Sequence, residues 1–279
     1  MTTSSHALRP VHRNLLSAFA IGLSAVSLVP VGWALSLSLK SSSETVGGSF
    51  LPAVPQFGNY VAAWNEFVLW RFFLNSFIVT VASVAITVVA ALAGAYAFTA
   101  IRFRGSEVVF TLLLLGVIVP PAALIVPFLI QMQQLGLYNT HAGLVLAYVA
   151  LGLPIAILIF RGYLTSIPRE IYEAARIDGA GELKILFRIV GPLSKSAIAT
   201  VTILLFLANW NEFILALVLL RDTEQFTLPV GIASQIGQYT SKYNYIAAAS
   251  IIAALPIFIL YLTLQRHFER GVAEGALKA

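Results

Sequence analysis

Acidic and basic side chains are concentrated in one stretch of a chain that otherwise carries few charges. Of its 279 residues, 59% are hydrophobic and only 10% are charged. The charged residues of this stretch are Glu170, Glu173, Arg176, Asp178, Glu182, Lys184 and Arg188. Because charge is costly in hydrocarbon, these side chains need either water or a protein partner. They suit directional contacts with another protein, and the alternative is a solvated loop that only connects two membrane spans.

A short surface helix is predicted within this stretch. Pro168 suits a helix start, and the acidic residues that follow suit the first turns, where the helix dipole favours negative charge. Gly179 and Gly181 suit a helix end, and a second segment follows them. The small side chains of Ala174 and Ala175 lie between these limits and leave a smooth face against which another protein can pack.

A second group of polar side chains lies inside an apolar run: Asn209, Trp210, Asn211 and Glu212. An ionisable residue at membrane depth normally faces a partner or a water-filled cavity. Amide and carboxylate groups can bind sugar hydroxyls, and an indole ring can stack on the apolar face of a pyranose. These four residues are therefore candidates for a translocation path, with hydrogen bonding between neighbouring helices as the alternative.

Long apolar runs dominate the rest of the chain, whose mean hydropathy is +0.88. This composition is typical of a polytopic membrane protein. The runs do not alternate as barrel strands do, and backbone groups in hydrocarbon must be satisfied within the segment, so the chain is predicted to be all-α. Six spans of about 20 residues are placed at 15–39, 73–100, 108–130, 142–161, 197–220 and 245–265. Pro120 and Pro121 predict a kink in the third span.

The distribution of lysine and arginine predicts the orientation of these spans. If both termini lie on one side, that side collects thirteen of the 17 Lys and Arg residues, which places both termini in the cytoplasm. The outer loop between Lys40 and Arg71 is expected to be irregular and to end in an interfacial aromatic belt, with a docking surface for an external partner as the alternative. The predicted organisation is a cytoplasmic N-terminal tail (1–14), a transmembrane domain (15–265) with a cytoplasmic loop at 166–193, and a cytoplasmic C-terminal tail (266–279).

Several classes of function are excluded by residue types that the chain lacks. It has no cysteine, and its four histidines are too far apart in sequence to form a ligand-spaced pair, so no metal site is predicted. No lysine follows a glycine, so the phosphate-binding loop of an ATPase is absent. The net charge of +5 comes from loops beside the spans and indicates no nucleic-acid partner. Only Glu212 lies clearly inside a span, and no catalytic cluster is present, which argues against an ion-coupled carrier and an enzyme.

The charged stretch resembles the cytoplasmic EAA signature of ABC importer permeases. That signature is Glu-Ala-Ala, three residues, Gly, nine residues, Ile, one residue and Leu-Pro. The residues that match it, at the same spacing, are Glu173, Ala174, Ala175, Gly179, Ile189 and Pro192. Gly191 departs from the pattern, because the family has leucine before the proline. The stretches ANWNEFILALVLL, TLPVGIASQIGQY and LQRHFERGVAEGALKA are similar to the carbohydrate branch of these permeases, specifically the maltose-type smaller permease.

This resemblance implies a type I ABC importer permease fold with six transmembrane helices and a coupling helix between the fourth and fifth spans. The implied function is import of a sugar or oligosaccharide by alternating access across a prokaryotic cytoplasmic membrane. The implied coupling residues are Glu173, Ala174, Ala175, Asp178 and Gly179. The alternatives are a permease for a polyol or glycerol-phosphate-like solute, and an ATP-independent secondary carrier.

The same resemblance implies a heteromeric complex. Its other members are a second homologous permease, two ATP-binding-cassette ATPase subunits and an extracytoplasmic solute-binding protein, and its surroundings are membrane lipid. No cofactor is expected on this chain, since ATP and Mg are used by the ATPase subunits. The chain is therefore expected to be a non-catalytic subunit of a transporter.

Overall fold

The computed structural model describes residues 10–45, 49–101, 103–238 and 242–276, and every regular element in these ranges is helical. The all-α prediction is confirmed for them. The α-helices are α1 (Pro10–Ser38), α2 (Gly58–Glu66), α3 (Leu69–Tyr96), α4 (Ser106–Ile118), α5 (Ile125–Gln134), α6 (His141–Leu164), α7 (Arg169–Ile177), α8 (Glu182–Ile185), α9 (Gly191–Leu193), α10 (Lys195–Trp210), α11 (Ile214–Leu219), α12 (Leu228–Gln238) and α13 (Tyr243–Ala276). Tight 3-10 turns lie at Ser42–Glu44, Pro121–Leu124 and Thr223–Gln225, and π-helical turns at Ala97–Ile101 and Leu186–Val190.

Four helices of the described chain are long and apolar enough to cross a membrane, and the number rises to six if each of two bent helix pairs is one span. The four are α1 from Ser17 onward, α3 with the π turn that follows it, α6, and α13 as far as Thr263. They coincide with the first, second, fourth and sixth predicted spans. The first bent pair, Ser106–Ile118 with Pro121–Gln134, occurs where the third span is predicted. The second, Glu182–Leu193 with Lys195–Trp210, bends at 81° just before the fifth predicted span, and only its second helix overlaps that span. α13 continues as a helix into the predicted C-terminal tail.

The third predicted span, 108–130, is broken rather than merely kinked. α4 ends at Ile118, and the helical segment from Pro121 onward runs at 97° to it. Val119 and Pro120 have ψ angles of 120° and 132°, both extended. A proline disfavours the helical conformation at the residue before it and cannot donate a backbone hydrogen bond. Two prolines in succession therefore end one helix and start another.

The fifth predicted span, 197–220, is not one continuous helix. α10 ends at Trp210, before the six-residue α11. Between them, the Glu212 carboxylate accepts hydrogen bonds from the backbone N–H of Leu215 at 2.7 Å and of Ala216 at 3.0 Å. A side chain that satisfies the first N–H groups of a helix favours a new helix start over continuation of the preceding helix.

The chain forms two compact units. The first comprises residues 1–67 and 235–252, and its described part contains α1, α2 and the first turns of α13. The second comprises residues 68–234 and 253–279, and it contains α3 to α11. Both groups of candidate functional residues therefore belong to the second unit.

In the first unit, the predicted outer loop is more ordered than the sequence predicts. It contains the nine-residue helix α2, so the expectation of an irregular loop is wrong for this part. Lys40, at the start of this loop, is only 2% exposed. Its Nζ donates to the carbonyl of Ser49 at 2.7 Å and lies 4.8 Å from the centre of the Trp33 ring. A carbonyl and an aromatic face thus replace the water that this ammonium group would otherwise bind.

The second unit is organised around α3, which packs along α6 and against α10. Near its N-terminal end, α3 also holds the segment that follows α11. The Asn75 side-chain amide donates to the carbonyls of Glu224 at 2.8 Å and Phe226 at 2.9 Å. Ser76 Oγ accepts a bond from Leu228 N at 2.7 Å. The buried apolar cluster beside these bonds consists of Val79, Met132, Leu144, Ala147, Tyr148, Leu215, Ala216, Leu219, Leu220 and Val230.

A close approach of α12 to α3 generates the first prediction. A Cβ at Gly231 would stand 2.1 Å from the ring of Phe72, which is 2% exposed. Gly231→Ala is therefore expected to destabilise the protein by about 1–3 kcal/mol through overpacking, measured as a lower thermal unfolding temperature in detergent. Gly162→Ala is the matched control, because a Cβ there meets nothing within 4 Å. Equal unfolding temperatures for the two variants would contradict this packing.

The carboxylate that starts α11 generates the second prediction. Besides its two backbone bonds, Glu212 accepts a hydrogen bond from the Tyr148 hydroxyl at 2.8 Å. Glu212→Ala is expected to cost about 1–3 kcal/mol of stability and Tyr148→Phe about 1 kcal/mol. The double variant should lose less than the sum, because both changes remove the same bond. Thermal unfolding of the four proteins measures this, and strictly additive losses would show that the two side chains act independently.

Candidate functional site

The short helix expected between Pro168 and Gly179 is present as α7 (Arg169–Ile177). Pro168 has an extended ψ of 136° and comes directly before the first helical residue. Gly179 has a φ of +74°, in the left-handed region that glycine enters without steric cost. The Ala180 N–H then donates to the Ala175 carbonyl at 3.0 Å, which closes the end of the helix. The sequence therefore fixes both limits of α7 locally.

α7 has one buried face and one exposed face. Tyr172 and Ala175 are buried, with exposures of 4% and 7%. The other four of the five predicted coupling residues are exposed: Glu173, Ala174, Asp178 and Gly179. The structure thus presents these four to a partner or to solvent and places Ala175 in the packing beneath them.

Large apolar side chains are exposed on the same charged segment. Ile177 is 86% exposed, Leu183 is 72% exposed and Phe187 is 56% exposed. We call these three residues, together with Glu173 and Ala174, the α7 surface. Exposed apolar side chains rimmed by polar ones are typical of interaction sites. The α7 surface can therefore offer a partner both apolar contact and directional charge.

A hydrogen-bonded cluster joins this segment to the end of α3. Arg176 Nε donates to Glu182 Oε1 at 2.8 Å, and Arg176 Nη2 donates to Glu182 Oε2 at 3.3 Å. The Tyr96 hydroxyl, in the last turn of α3, donates a short hydrogen bond to Glu182 Oε2. The bond to Glu182 raises the pKa of the Arg176 guanidinium above its usual range. The sequence analysis did not single out Tyr96, because a tyrosine at the end of an apolar run is ordinarily an interfacial side chain.

A crevice of about 80 Å³ separates α7 from the π turn that follows α3. Its lining residues are Thr99, Ala100, Arg169, Tyr172, Glu173 and Arg176. The Tyr172 hydroxyl is buried and has no hydrogen-bond partner in the described part of the chain. Burial raises the pKa of this phenol further above physiological pH, at which an ordinary tyrosine is already neutral. Tyr172 therefore contributes its ring, rather than its hydroxyl, to the packing of α7.

The four polar residues of the predicted path do not form one group. The Trp210 indole N–H donates to the Ala253 carbonyl at 2.9 Å, and its ring stacks on Phe206 with 5.5 Å between centroids. The Asn211 amide donates to the Leu207 carbonyl at 2.9 Å. The polar groups of these two residues are thus used in hydrogen bonds to backbone carbonyls.

Asn209 and Glu212 line a cavity of about 300 Å³. The Asn209 amide donates to Ser83 Oγ at 2.9 Å, and Tyr148 lines the cavity while donating to Glu212. The remaining walls are apolar or glycine: Pro121, Ala122, Ile125, Leu151, Gly152, Ile155, Leu205, Ala208, Ile214 and Leu215. A few convergent polar groups in apolar walls are typical of small-molecule sites. The sequence analysis missed Tyr148, because nothing in its apolar run distinguishes it from a packing residue.

The side chains described above offer no candidate metal site. Across residues 10–45, 49–101, 103–238 and 242–276, no group of three or more His, Asp and Glu side chains could hold a metal ion. The chemistry available at both sites is hydrogen bonding, ion pairing and apolar contact. Such groups can bind and position a ligand or partner.

Known proteins are similar to this chain over most of its length. The family model for the "binding-protein-dependent transport system inner membrane component" matches residues 86–274. The diacetylchitobiose uptake system permease protein NgcG of Streptomyces coelicolor is 33% identical, over 94% of this chain and 87% of that protein. The melibiose/raffinose/stachyose import permease protein MelC of Bacillus subtilis is 33% identical, over 98% and 99%. A crystal structure of a bacterial ABC transporter involved in the import of the acidic polysaccharide alginate contains a chain that is 27% identical, with a TM-score of 0.82 over 96% of this chain and 100% of that one.

The family match includes both candidate sites and covers more than half of the chain. The structural similarity extends over nearly all of it, which confirms the type I permease fold that the sequence motifs imply. The resemblance of the chain to carbohydrate ABC importer permeases is likewise confirmed. The chain therefore belongs to the inner-membrane components of binding-protein-dependent transport systems, and it is a non-catalytic membrane subunit of an ABC importer whose ATPase lies in separate chains.

Proposed function

We propose that this subunit carries a sugar or oligosaccharide across a prokaryotic cytoplasmic membrane. NgcG and MelC, whose names specify diacetylchitobiose and melibiose, raffinose or stachyose, resemble this chain over nearly its whole length. The cavity lined by Asn209, Tyr148 and Glu212 supports the same substrate class. Amide and hydroxyl groups suit sugar hydroxyls, and the apolar walls suit the apolar faces of sugar rings.

The observation that carries the proposal is the α7 surface. Its charged Glu173 and its exposed Ile177 lie about one turn apart on α7. In the proposed complex, the ATPase subunit packs on this surface, with Glu173, Ala174, Asp178 and Gly179 in contact with it. Ala175 keeps α7 seated on the helices beneath.

The complex that we propose has the composition implied by the family. A second permease, two ATPase subunits and an extracytoplasmic solute-binding protein join this chain, and ATP with Mg binds to the ATPase subunits. This chain contributes six spans, if each bent pair crosses the membrane once. Both termini face the cytoplasm, with tails at 1–14 and 266–279 and the coupling loop at 166–193 on the same side.

Transport in this proposal follows alternating access. ATP binding closes the ATPase dimer, draws the α7 helices of the two permeases together and opens the cavity outward. Hydrolysis resets the complex. The loaded binding protein and ATP both favour the outward-facing state. Binding of either one therefore raises the fraction of complexes in the state that binds the other more tightly.

Purification and reconstitution of the complex test this function. The chain is extracted from its native membrane in mild detergent, and the co-purifying polypeptides are identified. We expect an ATPase with a phosphate-binding loop and a second multi-span permease, and we expect ATP hydrolysis in proteoliposomes to rise with a saccharide-loaded binding protein. If only polyols or glycerol phosphate stimulate ATP hydrolysis, the substrate is a solute of that class and not a saccharide. Purification without any ATPase would overturn the importer proposal.

A charge reversal on the α7 surface gives the third prediction. Glu173→Lys is expected to lower substrate-stimulated ATP hydrolysis and transport at least about 10-fold, because a reversed charge in a protein interface costs several kcal/mol. Glu224→Lys is the matched control, since that side chain is 76% exposed and pairs with Arg71 near the opposite end of α3. Such surface pairs contribute little to stability. Wild-type coupled transport by Glu173→Lys would remove Glu173 from the ATPase contact.

A further inference from the structure

Three helices meet at the carboxylate of Glu182. α8 supplies the carboxylate itself, α7 supplies the Arg176 guanidinium, and α3 supplies the Tyr96 hydroxyl. The guanidinium contacts both carboxylate oxygens, while the phenol shares Oε2. Hydrogen bonds to an ionised group are shorter and stronger than neutral ones. These contacts therefore fix α7 and α8 relative to the end of α3.

The three groups differ in burial, and their bonds therefore differ in how much they contribute to stability. The Arg176 and Glu182 side chains are 37% and 45% exposed, and exposed ion pairs contribute little by themselves. Tyr96 is 2% exposed, and its ring lies 6.0 Å from that of Tyr172 on α7, which is 4% exposed. The bond that holds α3 to this segment is thus the one made by the buried phenol.

The backbone next to Tyr96 departs from α geometry. Residues Ala97–Ile101 form a π turn, a feature that is frequent at functional sites. Arg176 Nη2 also donates to the carbonyl of Ala100 within this turn at 3.4 Å. Contacts from α7 therefore reach α3 both through a side chain and through a turn whose backbone is not in regular α form.

α3 also reaches the cavity. Ser83 lies thirteen residues before Tyr96, about 20 Å along the helix, and its Oγ accepts the hydrogen bond from Asn209 at 2.9 Å. A chain of direct contacts thus runs from α7 through Glu182 and Tyr96 into α3, and from Ser83 to a residue that lines the cavity. Contiguous contacts of this kind can carry energetic coupling between two sites.

We propose that Arg176, Glu182 and Tyr96 form a relay that transmits displacement of α7 to α3, and that Tyr96 is a positioning residue for coupling between ATP hydrolysis and the cavity. The proposal rests on the proposed docking of the ATPase on the α7 surface and adds the route by which that contact acts on the membrane helices. While the Arg176–Glu182 pair and the Tyr96–Glu182 bond both hold, displacement of α7 is passed to α3. Loss of the Tyr96–Glu182 bond leaves the Tyr96–Tyr172 ring contact and the 3.4 Å bond from Arg176 to Ala100, and so weakens this transmission.

Tyr96→Phe tests the relay, and Tyr172→Phe is its matched control. The first change removes a hydroxyl that binds Glu182, whereas the second removes a buried hydroxyl without a partner among the described residues. Both keep the aromatic ring. In proteoliposomes with the whole complex, we expect Tyr96→Phe to lower the stimulation of ATP hydrolysis by saccharide-loaded binding protein about five-fold or more, with basal hydrolysis unchanged. Tyr172→Phe should behave as wild type.

Glu182→Gln provides a second, independent variant. It keeps the size of the side chain but weakens both the pairing with Arg176 and the bond from Tyr96. We expect it to lower stimulation to a similar extent, and we expect the Tyr96→Phe/Glu182→Gln double variant to lose no more than the stronger single variant. If Tyr96→Phe does not assemble, the Glu182→Gln result alone decides.

The outcomes separate this relay from the proposed function. Unchanged stimulation in Tyr96→Phe, equal losses in Tyr96→Phe and Tyr172→Phe, or a parallel loss of basal activity and thermal stability would overturn the relay. Glu173→Lys is measured in the same proteoliposomes. If Glu173→Lys is inactive while Tyr96→Phe is fully coupled, the docking surface stands and the relay fails. If Glu173→Lys is fully coupled, the docking proposal itself fails.

Discussion

The breaks between α4 and α5 and between α10 and α11 depend on one constraint: a backbone N–H or carbonyl in hydrocarbon must find a partner within the protein. At the α10–α11 break, the Glu212 carboxylate meets this requirement by accepting two backbone N–H groups and the Tyr148 hydroxyl. At the α4–α5 break, Pro120 and Pro121 carry no N–H that would need a partner. Both breaks border the 300 Å³ cavity, so the residues that allow the helices to break there also form part of its walls.

α3 is the element that the two candidate sites share. Its last turn supplies Tyr96 to the charged segment, and its middle supplies Ser83 to the cavity residue Asn209. Its first turns anchor the segment after α11 through Asn75 and Ser76. Small polar side chains can form such bonds without a large desolvation cost, which explains their presence in a helix of otherwise apolar composition.

Much of the architecture could be predicted, because it follows from properties that act locally. Apolar length determines where the long helices lie, and Pro168 and Gly179 determine the limits of α7 through backbone conformation alone. The contacts at Tyr96 and the burial of Lys40 could not be predicted, since each depends on partners that are distant in the chain or on the packing of a loop. Glu212 was recognised as unusual, yet its role as a helix cap depends on the chain breaking where the apolar pattern continues.

The two π turns have a consequence for chain length. Each holds more residues than an α turn, and they lie at Ala97–Ile101 and Leu186–Val190, one on either side of Glu182 in sequence. Loss of a single residue from either turn would restore α geometry and rotate the adjoining helix by about 100° about its axis. The number of residues in these turns, and not only their identity, therefore sets which side chains meet at Glu182. A related chain with one residue fewer at either place would have to assemble this contact from different positions.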